Sequence, residues 1–419
     1  MNAPMEVRAV GGREPDGDEA LVRELATRFL LWDTFVAGES RVSLHPLVLS
    51  LELHRKAVRA AERVTRAIRE VGLRAHGDRA ESELYGFHSD VVRLARASHD
   101  AGDSASLVRV DLLLDASQHW RACEINADCP GGHNEALALP RLCRRDGFPP
   151  GMDPTHVVGA LASRLRALAR RRDGSDGVVA MIFATAYAED LQVCALVKQA
   201  VEALGPRAVL APPTAPKLQD GRLWVGSNAI DALYRFFPTE YMEEQANVGA
   251  IEEAVARGTV RTLSSFSHMY SQSKLSLARA WALRGCLDEE TREAVEATIP
   301  ETFDAAEVGE KTLLRDQSAW VVKRALGRVG DEVFVGTVVE PDEWEAAVKE
   351  VMRRSRGGER WIAQRFVPQS RVRTPWGEML ATLGAYVLDG RFVGYFARVT
   401  PVSHVSHDAL CVPVFVEAA

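Results

Sequence analysis

The spacing of apolar residues changes along the chain and divides it into regions. Residues 1–18 mix glycine, proline and charge without any period, which predicts a disordered tail. Residues 19–105 repeat apolar positions at helical spacing, so we expect a helical N-terminal region there. The period then falls to two in SLVRVDLLLD and WRACEIN, and the short polar segment ASQH between them predicts a β-hairpin.

The rest of the chain predicts a mixture of helices and strands. Residues 106–150 contain the hairpin and a Gly/Pro-rich loop, DCPGGHNEA. Residues 151–270 contain the strand GVVAMIFATA, the helix LQVCALVKQAVEALG and the strand AVLAPP, an order typical of a βαβ unit with parallel strands. Residues 271–419 predict a strand, a glycine loop, a helix and four further strands. The fold class is therefore α+β or α/β.

Composition and charge exclude several classes of protein. The chain has 419 residues, 47% of them hydrophobic and 26% charged, which excludes a disordered, collagen-like or disulfide-stapled protein. Its 51 Lys and Arg against 58 Asp and Glu give a net charge of −7, which argues against nucleic acid or an anionic membrane as partner. The six cysteines form no CxxC pair, and no uncharged apolar run approaches the roughly 18 residues of a membrane span. We therefore expect a cytoplasmic protein.

Common catalytic motifs are missing from the sequence. It contains no GxxxxGK[ST], no GxGxxG after a strand, no HExxH and no GxSxG. P-loop NTPases, standard dinucleotide enzymes, zincins and serine hydrolases are therefore disfavoured.

Four polar residues share the predicted hairpin. Arg109 and Asp111 lie two apart on one strand, and Glu124 and Asn126 lie two apart on the next, so each pair projects from one face. If ASQH is a four-residue loop, Asp111 lies opposite Glu124 and Arg109 opposite Asn126. Two opposed carboxylates repel, so a positive charge is expected between them.

That charge has two candidate sources. Arg109 would give a salt-bridged hairpin, whereas a divalent cation would use the two carboxylates and the amide carbonyl, which are ligands that Mg²⁺ prefers over zinc. The adjoining DCPGGH loop either brings backbone N–H groups to a bound anion or is a plain turn.

Three later segments offer weaker candidates. Lys323, followed by Gly327 and Gly330, suits a glycine loop over phosphates or an exposed lysine in a hairpin. Gln364 is either a contact to a base or ribose edge or a satisfied core glutamine. Arg398 is either a phosphate ligand or part of a surface ion pair.

These motifs together resemble the synthetase part of glutathionylspermidine synthases, within the circularly permuted ATP-grasp ligases. RVDLLLD and EINADCP resemble the Arg-x-Asp and Glu-x-Asn-Ala-Asp-x-Pro signatures of that family, in its order and spacing. SQSK, VVKRALGRVG, WIAQRFVP, LGAYVLDGRFVGYFAR and CVPVFV follow in the family's sequence, so the resemblance covers roughly residues 80–419. It implies an ATP-grasp fold with an inserted parallel-sheet preATP-grasp domain.

The resemblance also implies roles for individual residues. Asp111, Glu124 and Asn126 would bind two Mg²⁺ ions, with Glu124 bridging, while Arg109 and Arg398 would act on the transferring phosphoryl group and the acyl phosphate. The implied nucleotide contacts are Lys274, Lys323, Gly327, Gly330, Gln364 and the Phe366 backbone. The implied substrate contacts are Asp128, Cys129, Gly131 and Gly132.

The predicted function is an ATP-dependent carboxylate–amine ligase that forms an amide through an acyl phosphate and releases ADP and phosphate. Its expected partners are a small-molecule carboxylate and an amine, with a homodimer as one option for assembly. A phosphotransferase on the same scaffold and a catalytically silent nucleotide-binding protein remain alternatives. Two opposed carboxylates argue against silence, because a binding module has no need for them.

Overall fold

Helices and strands alternate through a mixed α+β architecture. A computed structural model describes residues 5–8, 12–147, 151–327, 332–403 and 409–417. The strands are β1 (Met5–Val7), β2 (Phe35–Val36), β3 (Glu39–Ser40), β4 (Leu47–Leu49), β5 (Leu107–Leu114), β6 (Trp120–Asn126), β7 (Gly151–Met152), β8 (Val178–Phe183), β9 (Arg207–Ala211), β10 (Lys217–Gln219), β11 (Arg222–Val225), β12 (Asn228–Ala229), β13 (Ala232–Phe236), β14 (Arg261–Leu263), β15 (Thr302–Asp304), β16 (Trp320–Arg324), β17 (Val333–Val335), β18 (Trp361–Arg365), β19 (Arg371–Thr374), β20 (Gly377–Leu388), β21 (Arg391–Thr400), β22 (Leu410–Val412) and β23 (Val414–Glu417). The α-helices are α1 (Glu19–Arg28), α2 (Leu51–Gly77), α3 (Arg79–Leu84), α4 (Ser89–Asp100), α5 (His133–Arg145), α6 (Val157–Ala169), α7 (Ala188–Glu202), α8 (Val248–Ala256), α9 (Met269–Gln272), α10 (Leu275–Leu283), α11 (Glu289–Thr298), α12 (Ala305–Val308), α13 (Glu310–Arg315) and α14 (Pro341–Arg356).

The largest sheet is built around β20. One edge of β20 pairs with β21, and the other edge pairs with β19 and then with β5, which carries β6 at its outer side. Nine consecutive β20 residues, 380–388, are buried, because α2 packs on one face of this strand and α6 packs on the other. The predicted hairpin is therefore one edge of a larger mixed sheet, in which its own strands pair antiparallel.

The inserted region contains a parallel sheet, as the sequence predicts. Its order is β14-β13-β8-β9, every neighbouring pair is parallel, and α7 connects β8 to β9. The apolar strands of this sheet are buried, for example Val179, Met181 and Ala232.

A smaller antiparallel sheet carries the glycine-loop segment. Its order is β15-β18-β16-β17, and α14 packs against it through Trp344 and Val348 onto Trp320 and Trp361. The loop between β16 and β17 begins at Ala325, and residues 328–331, including Gly330, lie outside the described residues.

The disordered tail predicted for residues 1–18 is wrong for Met5–Val7. These residues form β1, which lies between β4 and β19 in the large sheet, and Met5 and Val7 are buried. An alternating apolar triplet is too short to be recognised without its partner strands, which are distant in sequence. Residues 19–105 contain α1–α4 as expected, together with the short strands β2–β4. Within the described ranges, no helix has both the length and the apolar character needed to cross a membrane.

A buried ion pair joins the glycine loop to the parallel sheet. The Asp128 carboxylate accepts hydrogen bonds from Arg235 Nη2 at 2.5 Å and from the Thr239 backbone N and Oγ1 at 2.7 and 2.8 Å. Both side chains of the pair are fully buried. The sequence predicts Asp128 as a substrate contact, whereas its observed contacts fix the loop to β13.

Removing Arg235 should destabilise the protein strongly, because it leaves the Asp128 charge buried without its partner. We expect Arg235→Met to lower the free energy of unfolding by about 3–5 kcal/mol, and Asp128→Asn in the same chain to restore part of it. Urea unfolding monitored by circular dichroism measures both changes. The matched control is Arg79→Met, which breaks an exposed pair with Glu83 and should cost under about 1 kcal/mol. Equal costs for the two arginine variants would contradict the role of the buried pair.

Candidate functional site

The β5–β6 hairpin holds the four predicted polar residues together. Arg109 lies opposite Asn126 and Asp111 opposite Glu124, as predicted. The predicted four-residue loop is wrong, since Leu114 pairs with Trp120 and Asp115 N donates to His119 O. A β-bulge compensates for this difference. The pairing passes from Asp111–Glu124 to Leu112–Ala122, so Cys123 is the extra residue.

Two arginines hold the Asp111 carboxylate. Arg109 Nε and Nη2 donate to its two oxygens at 2.7 and 3.0 Å, and Arg398 Nη2 donates to Oδ2 at 3.1 Å. The residue is 2% exposed. The Phe396 ring lies 5.4 Å from both guanidinium carbons. Arginine thus supplies the positive charge that the hairpin requires, and Arg398 belongs to this centre and not to a surface pair.

A lysine compensates Glu124. Lys274 Nζ lies 3.0 Å from Glu124 Oε1 and donates to Gly327 O at 2.6 Å. Burial raises the pKa of the Glu124 carboxyl, but Lys274 and then Lys323 lower that pKa more, so it lies below its ordinary value. Glu124 is therefore ionised at neutral pH.

Lys323 is also buried at this centre. Its Nζ donates to Cys123 O at 2.8 Å and to Gln364 Oε1 at 2.9 Å, and the residue is 7% exposed. Burial lowers the pKa of the Lys323 ammonium, and Cys123 and Glu124 offset only part of that effect. The alternative of an exposed hairpin lysine is thus wrong.

Two predicted nucleotide contacts are engaged within the protein. Gln364 is 2% exposed and bonded to both Lys323 and Thr302, which matches the alternative of a satisfied core glutamine. The Phe366 N–H donates to Ala319 O at 2.9 Å, so this N–H is engaged and the role that the sequence predicts for the Phe366 backbone would fall to its carbonyl.

The glycine loop lies against Arg109 through a carbonyl. Gly131 O accepts from Arg109 Nη1 at 3.0 Å and from the Tyr386 hydroxyl at 2.5 Å. Gly132 has φ +92° and precedes α5, and a Cβ there would lie 2.8 Å from Tyr386 Oη. Cys129 is half-buried. The loop is therefore a specifically packed element and not a plain turn.

Sequence reasoning missed three residues that shape the centre. Gln272 Oε1 accepts from the backbone N–H groups of Ala127 and Asp128 at 2.8 and 2.9 Å. Gly384 lies opposite Asp111 on β20, where a Cβ would be 2.8 Å from Arg109 Cδ and 3.1 Å from Asp111 Oδ1. Tyr386 lies opposite Arg109 on the same strand. A glycine inside a long apolar strand signals such a close approach, although not its partner.

Among the described residues, cations outnumber carboxylates at this centre. We call Arg109, Lys274, Lys323 and Arg398, with Asp111 and Glu124, the cationic cluster. Its four positive and two negative side chains leave two positive charges among largely buried groups. Burying uncompensated charge is costly, so this arrangement favours a bound anion.

The predicted metal ligands fit Mg²⁺ in part. Glu124 and Asn126 carry the carboxylate and amide oxygens that Mg²⁺ prefers. Asp111 is occupied by its arginines, and among the described residues no group of three or more His, Cys, Asp or Glu side chains suits a metal ion. Glu124 and Asn126 therefore suit an ion that takes its remaining oxygens from phosphate and water.

Comparison with known proteins assigns the fold. A family model described as glutathionylspermidine synthase preATP-grasp matches residues 46–417. The chain belongs to this family. The predicted α+β ATP-grasp fold class is thereby confirmed, and membership of a synthetase family supports an ATP-dependent ligase acting on small molecules as the general class of activity.

The solved structures that match the chain include a synthetase-like effector and a synthetase. A glutathione synthetase-like effector from Globodera pallida, in its apo form, is 11% identical, with a TM-score of 0.58 over 96% of this chain and 98% of that one. D-cycloserine synthetase DcsG is 16% identical, with a TM-score of 0.34 over 54% of this chain and 76% of that one. No curated protein sequence matches the chain. The similarity to the effector structure supports the fold assigned to this chain.

Adding a methyl group at Gly384 should disturb the cluster. Gly384→Ala places a Cβ 2.9 Å from the backbone oxygen of Phe396, which cannot move without distorting the sheet. We expect a loss of about 1–3 kcal/mol in unfolding free energy, measured in urea. Gly159→Ala, in α6 with open space at its Cβ, is the control and should be neutral or stabilising. Equal stability of the two variants would contradict this packing.

His133 should make stability depend on pH. Burial, followed by the charge of Arg109, lowers the pKa of His133 to about 3. The unfolded chain binds this proton near pH 6.5 and the folded chain does not, so stability is lost as the pH falls from about 6.5 towards 3.

The variant His133→Leu should reduce that slope by up to about 1.4 kcal/mol per pH unit. Urea titrations between pH 4.5 and 6.5 measure the change. The control is His119→Leu at an exposed side chain. An unchanged slope in His133→Leu would show that His133 does not titrate on unfolding.

Proposed function

We propose that the chain is an ATP-dependent carboxylate–amine ligase that works through an acyl phosphate. The observation that carries this proposal is the positive excess of the cationic cluster beside the Mg²⁺-type oxygens of Glu124 and Asn126. A triphosphate with a divalent ion is an anion of matching chemistry. Membership of the synthetase family supports the same ligand.

The nucleotide is proposed to lie between the hairpin and the smaller antiparallel sheet. Lys274 and Lys323 bind its phosphates, and Gly327, whose carbonyl accepts a hydrogen bond from Lys274 Nζ, lies beside them. Glu124 and Asn126 hold Mg²⁺, which supplies neutralisation of phosphate charge when bound. A second ion bridged by Glu124 stays a prediction.

The acid substrate is proposed to lie beside Arg109 and the loop containing Cys129, Gly131 and Gly132. A carboxylate oxygen attacks the γ-phosphorus, the bond to the β-phosphate oxygen breaks, and ADP leaves. The amine nitrogen then attacks the acyl carbon, phosphate leaves with the C–O bonding pair, and the nitrogen loses a proton to solvent. Arg109 and Arg398, held together through Asp111, stabilise the charge on the transferring group.

The expected products distinguish this ligase from other activities. Screening amino acids, small peptides and polyamines with MgATP should reveal ADP release that requires both an acid and an amine. With hydroxylamine in place of the amine, we expect a hydroxamate in an amount equal to ADP, because hydroxylamine traps the acyl phosphate. Chromatography of the nucleotides and mass spectrometry of the hydroxamate are the measurements.

Other outcomes favour other functions. A stable phosphorylated product from a single substrate would indicate a phosphotransferase, and AMP with pyrophosphate would exclude the acyl phosphate route. Binding of MgATP without turnover in any combination would indicate a silent nucleotide-binding protein.

Glu124→Gln should lower turnover at least about hundredfold, whereas Glu378→Gln, at an exposed β20 position, is the matched control.

A further inference from the structure

A chain of hydrogen bonds extends from Lys323 into the smaller antiparallel sheet. Lys323 Nζ donates to Gln364 Oε1 at 2.9 Å, Gln364 Nε2 donates to Thr302 Oγ1 at 3.0 Å, and Thr302 Oγ1 donates to Pro300 O at 2.7 Å. Gln364 pairs with Thr302 on one neighbouring strand and with Val321 on the other. Val321 lies two residues before Lys323 on β16. All these side chains therefore share one face.

The two ends of this chain fix the orientation of the Gln364 amide. A lysine ammonium has donors only, so the amide atom that faces it is the oxygen. At the other end, the Thr302 hydroxyl gives its hydrogen to a carbonyl that can only accept, so its oxygen accepts from the amide nitrogen. Both ends thus select the same orientation.

The arrangement also directs the ammonium group. Cys123 O and Gln364 Oε1 take two of its three N–H donors. The Cys123 carbonyl comes from the bulge residue of the β5–β6 hairpin, so the hairpin and the smaller sheet hold the group from two sides. No described residue accepts a hydrogen bond from the third donor, which can therefore bond to an anion bound at the cationic cluster.

The burial of this hydrogen-bonded chain of residues indicates that its polar side chains have a functional role. Thr302 is 1% exposed and Gln364 2% exposed, at positions where apolar side chains would avoid the cost of desolvation. Lys323 is the only charged residue among the three side chains of this hydrogen-bonded chain. Orienting its ammonium group is therefore the distinctive effect of the other two.

We propose that Gln364 and Thr302 are positioning residues that hold the Lys323 ammonium in place for a nucleotide phosphate. This inference rests on the proposed function, and it replaces a direct contact between Gln364 and the nucleotide with an effect exerted through Lys323. Thr302 acts at one further remove, by keeping the Gln364 amide oriented.

A double-mutant cycle tests the proposal. Thr302→Val keeps the shape of the side chain and removes the acceptor, so it should weaken binding of a non-hydrolysable MgATP analogue about three- to tenfold by calorimetry. Thr302→Ser keeps the hydroxyl and should restore most of the affinity. In a Lys323→Met background, Thr302→Val should have no further effect, because its influence passes through the lysine.

The packing control is Thr65→Val. Thr65 is a buried threonine on α2 whose hydroxyl makes no hydrogen bond to any described residue, so its replacement should leave analogue binding unchanged. If Thr302→Val weakens binding equally with and without Lys323, or does not weaken it at all, the positioning role is overturned.

A second measurement does not depend on nucleotide binding. A pH titration of ¹³C-labelled lysine by NMR, with the Lys323 signal assigned from Lys323→Met, gives the apparent pKa of its amine. Thr302→Val should lower this pKa, because a misoriented amide supports the ammonium less well, and Thr302→Ser should not. If the wild-type protein binds no analogue, the proposed function fails. The pKa measurement then decides whether the hydrogen bonds through Gln364 and Thr302 position Lys323. An unchanged pKa in Thr302→Val would then overturn the positioning role.

Discussion

The opposition of Asp111 and Glu124 across a hairpin is the constraint on which the centre of the molecule depends. Like charges facing each other on neighbouring strands destabilise a sheet, so each carboxylate needs its own cation. Asp111 takes two arginines, one from its own strand and one from β21, while Glu124 takes Lys274 from a distant part of the chain. Neutralising these two carboxylates therefore brings together the hairpin, the rest of the large sheet and the segment that precedes α10.

Small departures from regular backbone structure make this arrangement fit. The Cys123 bulge preserves the pairing of Asp111 with Glu124 despite the shorter turn, and its carbonyl accepts from Lys323. Gly384 leaves the space in which Arg109 and Asp111 meet. Phe396 then supports Arg109 and Arg398 from the same face of the sheet. The bulge and the missing side chain at Gly384 thus allow the charged groups of the cluster to meet.

Local pattern was sufficient to predict what depends on short-range geometry. Period two predicted the facing pairs of the hairpin, and the βαβ order predicted the parallel sheet. Contacts between residues distant in sequence cannot be predicted from local pattern. Met5–Val7 becomes a strand only through β4 and β19, and Asp128 is satisfied by Arg235, which lies more than a hundred residues away. An arginine within the buried strand ALYRFF was a usable signal, because a charge in such a strand requires a partner.

The balance of charge also links stability to ligand binding. Each carboxylate of the cationic cluster is compensated, but two positive charges exceed what Asp111 and Glu124 can neutralise. Desolvation makes that excess unfavourable, and burial lowers the pKa of the Lys323 ammonium. An anion that binds only the folded state removes part of this cost and stabilises the fold in proportion to the logarithm of its concentration relative to its dissociation constant. The ligand-free protein therefore carries unfavourable electrostatic energy where the proposed reaction needs positive charge already in position.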